Sequence, residues 1–161
     1  MSQRLPASAY VLGLAGVIPF AACGIATLSA AGHPAFALPA LIAYGASILS
    51  FVGAVHWGLA LAPQPVPTGP IPAVGTRLAL GVLPSLIGWG ALLLTVADLP
   101  EVALAALIVG FIATVTTESR WAKLGLLPNG YMALRWILSV LVVMVLGTVL
   151  TLRLLGASIV F

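Results

Sequence analysis

Five runs of roughly twenty residues, each almost wholly apolar and nearly free of charge, limit what this chain can fold into more than any other feature of it. They cover residues 7–30, 35–62, 77–97, 101–117 and 131–155. A helix rising about 1.5 Å per residue needs about 20 such residues to cross a hydrocarbon layer about 30 Å thick. Membrane strands are excluded, because the runs show no period-two alternation and every backbone group in lipid must be paired internally. The expected fold class is therefore all-α: one integral membrane bundle of five transmembrane helices, a single transmembrane helical domain over residues 1–161.

Composition enters at this point, because it says which solvent surrounds the bundle. Charged residues make up 6% of the chain and its mean hydropathy is +1.24, whereas an ordinary soluble domain carries about a quarter of its residues as Asp, Glu, Lys and Arg. Nine charges cannot cover a water-exposed surface of this size, so the lipid bilayer is the expected surrounding. The net charge of +3 comes from six scattered basic residues with no stripe among them to grip phosphates. Nucleic acid is not an expected partner.

Helix breakers fall between the runs, in AGHP, PQPVPTGPIP, DLP and LGLLPNG. Pro34 sits where proline favours a helix start. Residues 63–72 read as a stiff, polyproline-like connector rather than an SH3 ligand. Pro19 and Pro84 lie inside the first and third runs, where each removes a backbone hydrogen bond and predicts a kink. The lone Cys23 excludes an internal disulfide. Phe20-Ala21-Ala22-Cys23 has the look of a lipoprotein box and Ala35-Phe36-Ala37 of a signal-peptidase site, but Gly13, Gly16 and Pro19 interrupt the apolar stretch that either would need. An uncleaved first segment is expected.

Charge sets an orientation. With a cytoplasmic amino terminus, Arg4, Arg77, Arg120, Lys123 and Arg135 all lie at the cytoplasmic side, Asp98 and Glu101 in an outer loop, and Arg153 alone at the outer end. The carboxyl terminus then lies on the outer side. Lacking an Arg-rich and Ser-rich presequence, the chain is expected in a bacterial inner membrane, ahead of a mitochondrial one.

In lipid, helices associate through close backbone approach between small residues. Ala46, Ser50, Ala54, Gly58 and Ala62 recur every four residues in the second run, with Gly45 and Gly53 beside them, so this helix is expected at the centre of the bundle. The same run carries His56 beside Trp57. Arg77 opens the third run, Glu118 follows the fourth and Arg135 lies one turn into the fifth, all at the His56 end. Ionisable groups at membrane depth are costly and usually face protein or water. His56, Trp57, Arg77, Glu118 and Arg135 therefore form the candidate polar cluster or ligand-binding site, with Glu118 and Arg135 as its ion pair. A structural role is the alternative: the arginines snorkel to lipid phosphates and Trp57, Trp121, Tyr131 and Trp136 form an aromatic belt.

No catalytic set is visible. A metal site or haem needs several ligands, whereas the chain has two distant histidines, His33 in an outer turn and His56, and one cysteine. No cofactor is expected, and no enzyme. Two functional readings remain. One is an accessory or assembly subunit packing against other membrane protein subunits. The other is a binding protein for a lipid, quinone or transported solute at the cytoplasmic end of the bundle.

LGLAGVIPF (Leu12 to Phe20), YGASILSFVGAVHWGLAL (Tyr44 to Leu61), VLPSLIGWGALLL (Val82 to Leu94) and the Pro128, Tyr131, Leu134, Arg135 pattern resemble a family of small multi-pass proteins of unknown function found in bacteria and related to the mitochondrial transmembrane protein 69. The resemblance implies a five-helix inner-membrane bundle and carries no established activity. Glu118 stands where the family usually has aspartate, and Asn129-Gly130 where it usually has Ala-Trp.

Overall fold

The structure, a computed structural model, describes residues 5–29, 34–61, 73–124, 127 and 130–156. Arg4, His33, Ala62, the proline-rich connector, Pro128 and Asn129 lie outside the described residues. Six helices are present among those described: α1 (Ala7–Ala15), α2 (Ile18–Leu28), α3 (Pro34–Leu61), α4 (Val74–Val96), α5 (Pro100–Ala122) and α6 (Tyr131–Leu154). α1 and α2 together make one span, so the chain is an all-α bundle with five helical segments long and apolar enough to cross a membrane.

The first span breaks rather than bends. Pro19 has no N–H, so the Ala15 carbonyl loses its donor and the helix stops there. The backbone tightens across the break, Val17 N–H reaching Leu14 O at 3.0 Å. The Gly16 carbonyl instead accepts the Tyr44 hydroxyl of α3 at 2.9 Å. A side chain of the second span thereby ties down the gap that proline opens in the first. Pro84, expected to kink its helix, lies within the unbroken α4, as does Pro39 within α3.

α5 runs to Ala122, well beyond the expected end at Thr117. Hydropathy falls from Thr116 onward, but the hydroxyls there do not need water. Thr114, Thr116, Thr117 and Ser119 each donate to a carbonyl four residues back, at 2.7 to 2.9 Å. The extra turn and more carries Glu118 and Trp121 on the helix itself.

α3 packs along α4 and also meets α2 and α5, while α6 closes the ring between α5 and α2. Phe20, Leu41, Leu49, Leu104, Leu107 and Leu146 are fully buried where these elements converge. The small residues of α3 divide into two sets. A Cβ on Gly53 would lie 2.5 Å from the Gly81 carbonyl oxygen, and one on Gly88 would lie 2.9 Å from the Ala46 carbonyl oxygen, so α3 and α4 meet backbone to backbone. Ser50 is half-buried beside them and bonds back to Ala46 O at 2.8 Å. Ala54 and Gly58, expected on the same ridge, face outward, and nothing lies within 4 Å of where a Gly58 Cβ would be. A step of four residues overshoots a helical turn by about 40°, so three steps from Ala46 carry the ridge about 120° off the seam. The seam follows Ala46, Ser50 and Gly53 and leaves Ala54 and Gly58 behind.

Candidate functional site

The end of α3, the start of α4, the end of α5 and the start of α6 lie together, because successive spans run in opposite directions. Their polar side chains turn inward. Glu118, buried to 1%, stands about one turn, roughly 6 Å, inside the end of α5. Its Oε2 accepts Arg135 Nε at 2.6 Å, and Oε1 lies 3.5 Å from the Tyr131 hydroxyl. Arg135 and Tyr131 are four residues apart on α6 and so share a face, which lets both reach one carboxylate. Arg135 Nη1 donates to the Ser139 hydroxyl, one turn further in, at 3.1 Å.

His56 approaches the same carboxylate from α3, its Nδ1 3.8 Å from Glu118 Oε1. That is an ion-pair distance if the ring is protonated and too long for a hydrogen bond. Behind it, the His56 ring lies 4.7 Å from the Trp121 ring, and the Arg77 guanidinium lies 5.8 Å over the same indole. Arg77 donates to the Leu59 carbonyl at 2.9 Å and is buried to 1%. Trp57 remains half-exposed and donates to the Leu78 carbonyl at 3.0 Å, its ring seated where a Cβ on Gly81 would be.

The structure thus brings His56, Arg77, Glu118 and Arg135 into one buried cluster and leaves Trp57 at its edge, pinning α3 to α4. Neither Arg77 nor Arg135 snorkels to the surface. Trp121, expected in the aromatic belt, is buried at 5%, while Trp57 and Trp136 are each 44% exposed. The opposite end holds another ion pair: Arg153 donates to Glu101 at 2.7 and 2.9 Å.

Three members of the cluster escaped the sequence reading: Tyr131, Ser139 and Trp121. An aromatic residue near a span end carries the same signature whether it faces lipid headgroups or the interior. Only the helical phase separates the two, and the misplaced end of α5 hid it for Trp121. Ser139 lies four residues after Arg135, a spacing that could have disclosed it.

Two of the cluster's buried nitrogens are left without a partner. His56 Nδ1 and Arg135 Nη2 are buried with no hydrogen-bond partner among the described residues. Each residue lines a cavity. His56 faces one of about 90 Å³ between α3, α4 and α5, with Pro84, Gly110, Thr114 and Thr117. Arg135 faces another of about 140 Å³ beside the break in the first span, with Phe20, Phe51 and Phe111. Among the described residues, no group of three His, Cys, Asp or Glu could hold a metal ion.

Comparison with known proteins follows the same lines. The family model described as "Protein of unknown function (DUF3429)" matches residues 5–151. Transmembrane protein 69 of Xenopus tropicalis is 36% identical over 139 residues, 86% of this chain and 51% of that protein. Transmembrane protein 69 of Mus musculus is 32% identical over 130 residues, 81% of this chain and 50% of that protein. No solved structure matches. The chain spans about half the length of the curated relatives it matches. Both relatives are vertebrate proteins, which overturns the bacterial inner membrane expected from the sequence. That expectation rested on the want of a presequence, and half the length of a relative is no basis for it. By the family model and by both relatives, this multi-pass membrane protein belongs to the DUF3429 family of proteins of unknown function, related to transmembrane protein 69.

Proposed function

We propose that the protein binds a small amphipathic molecule from the bilayer at the end of the bundle where His56, Glu118 and Arg135 meet. One observation carries this reading: two buried nitrogens, His56 Nδ1 and Arg135 Nη2, lack a hydrogen-bond partner in residues that line cavities, flanking a carboxylate that is itself engaged. A buried polar group without a partner costs about 1–3 kcal/mol, so a cluster of this kind is either strained or completed by something from outside. An apolar body with one or two hydrogen-bonding atoms would complete it.

The test is a titration of the purified protein in lipid nanodiscs with a decyl-tailed benzoquinone, decanoate and a short-chain phosphatidic acid. At least one is expected to bind saturably, and Arg135→Gln or His56→Ala to weaken it about tenfold, the effect of losing one hydrogen bond to a charged or polar partner worth about 1.5 kcal/mol. Saturable binding by none of the three, or binding indifferent to both substitutions in folded protein, would remove the basis for this reading.

The accessory-subunit reading keeps one observation in its favour. Ala54 and Gly58 present small residues outward on α3, next to the exposed Phe51 and Leu61, and could receive a helix of another chain. Its test is crosslinking in the native membrane from a photoreactive residue at Ala54. Recovery of the uncrosslinked chain alone would end it.

For orientation, the end that carries Arg77, Arg120, Lys123 and Arg135 is proposed to face the compartment from which the chain is inserted, by the positive-inside rule. Arg153, the exception at the far end, is paired with Glu101 and adds little net charge there.

A further inference from the structure

The two cavities flanking the cluster are not equivalent in lining. The chamber beside Arg135 is lined among the described residues by aliphatic and aromatic side chains and glycines, and Arg135 is the one polar side chain in its wall. With Nε on Glu118 and Nη1 on Ser139, the donor left to this guanidinium is Nη2. Arg135 is 94% buried, so this donor cannot turn to bulk water. Arg135 is the one side chain in the chamber that could hold a water molecule, which is best held by two to four polar partners.

Size and charge narrow the occupant further. At about 140 Å³ the chamber matches a single six-membered ring; an apolar cavity of roughly 150 Å³ holds benzene. Phe20, Phe51 and Phe111 are among the residues that line it, an aromatic setting suited to a ring. Leu12 and Phe51, at 72% and 69% exposure, stand at its rim towards lipid, where an attached chain could leave. The Arg135 charge is already matched by Glu118 at 2.6 Å. A second anion there would share one guanidinium with a buried carboxylate, so a neutral carbonyl oxygen is the better acceptor.

We propose that this chamber seats the ring of a benzoquinone-type lipid, one ring carbonyl accepting from Arg135 Nη2 and the tail leaving past Leu12 and Phe51. The proposal rests on the small-molecule reading above and specifies its site and ligand class.

The experiment is the titration of full-length protein in nanodiscs with the decyl-tailed benzoquinone, with decanoate as the arm that has a tail and an oxygen acceptor but no ring. Val17→Phe fills the Arg135 chamber without touching the ion pair, and Ala113→Phe fills the His56 cavity instead. The benzoquinone is expected to bind at least tenfold tighter than decanoate. Val17→Phe and Arg135→Leu should each weaken it at least tenfold, and Ala113→Phe less than twofold. Val17→Phe keeps the test decisive should Arg135→Leu fail to fold. Benzoquinone binding that survives Val17→Phe but is lost in Ala113→Phe overturns this proposal and leaves a site at the cluster standing, as does preferential binding of decanoate. Saturable binding of neither probe, nor of phosphatidic acid, overturns both readings.

Discussion

Glu118 is held from α6 by Arg135 and Tyr131, with His56 of α3 at 3.8 Å, and the energetic consequence is asymmetric. Removing one partner of a buried ion pair leaves the other charge uncompensated and costs about 3–5 kcal/mol, whereas replacing both by apolar groups is often close to neutral. Arg135→Met and Glu118→Leu should therefore each lower stability by about 3 kcal/mol, and the double variant should recover most of that loss, as read by thermal unfolding in mild detergent. Additive losses would mean that the 2.6 Å contact contributes no coupling. The pairing itself was legible from the sequence, since Glu118 directly follows the fourth run and Arg135 lies one turn into the fifth, at the same end of the bundle. Its surroundings were not. Tyr131 and Trp121 reach the interior through helical phase, and hydropathy carries no phase in helices apolar all round.

At the scale of the element, the α3–α4 seam depends on two backbones meeting without side chains between them. Gly53→Leu places atoms where the Gly81 carbonyl and the Pro84 ring now lie, so α3 and α4 must separate; the expected loss is about 1–3 kcal/mol. Gly58→Ala meets nothing within 4 Å and should be neutral or stabilising by up to about 1 kcal/mol. Comparing the two variants by thermal unfolding tests the seam directly, and equal effects would show that α4 does not lie along the Gly53 face. The sequence disclosed that α3 is rich in small residues but not which of them are used. A four-residue repeat read as a straight ridge in fact winds about 40° per step around the helix. Pro19 disclosed where the first span departs from a straight helix, as a kink, but not that the helix breaks there. The Tyr44 hydroxyl that ties the break down was not legible either, because that contact joins residues 28 positions apart.

For the whole molecule, the long apolar runs dictate both the class of fold and the pairing of its ends. Large apolar side chains such as Phe36, Trp89, Val96, Val109 and Met144 stay exposed along the spans, which lipid accommodates and water would not. With five crossings, the ends of α3 and α5 and the starts of α4 and α6 share one face, and helical phase then turns His56, Arg77, Glu118 and Arg135 inward there. The far face carries Asp98 and the Glu101–Arg153 pair. Topology therefore underlies the candidate site and every ligand argument built on it. Its most direct test is labelling of single cysteines in sealed vesicles with a membrane-impermeant maleimide, in a Cys23→Ala background. Lys123→Cys is predicted to react from one face, and Asp98→Cys and Gly156→Cys from the other only. Reaction of Lys123→Cys and Gly156→Cys from the same face would mean an even number of crossings between the two ends of the charge pattern, and the buried cluster could not assemble as described.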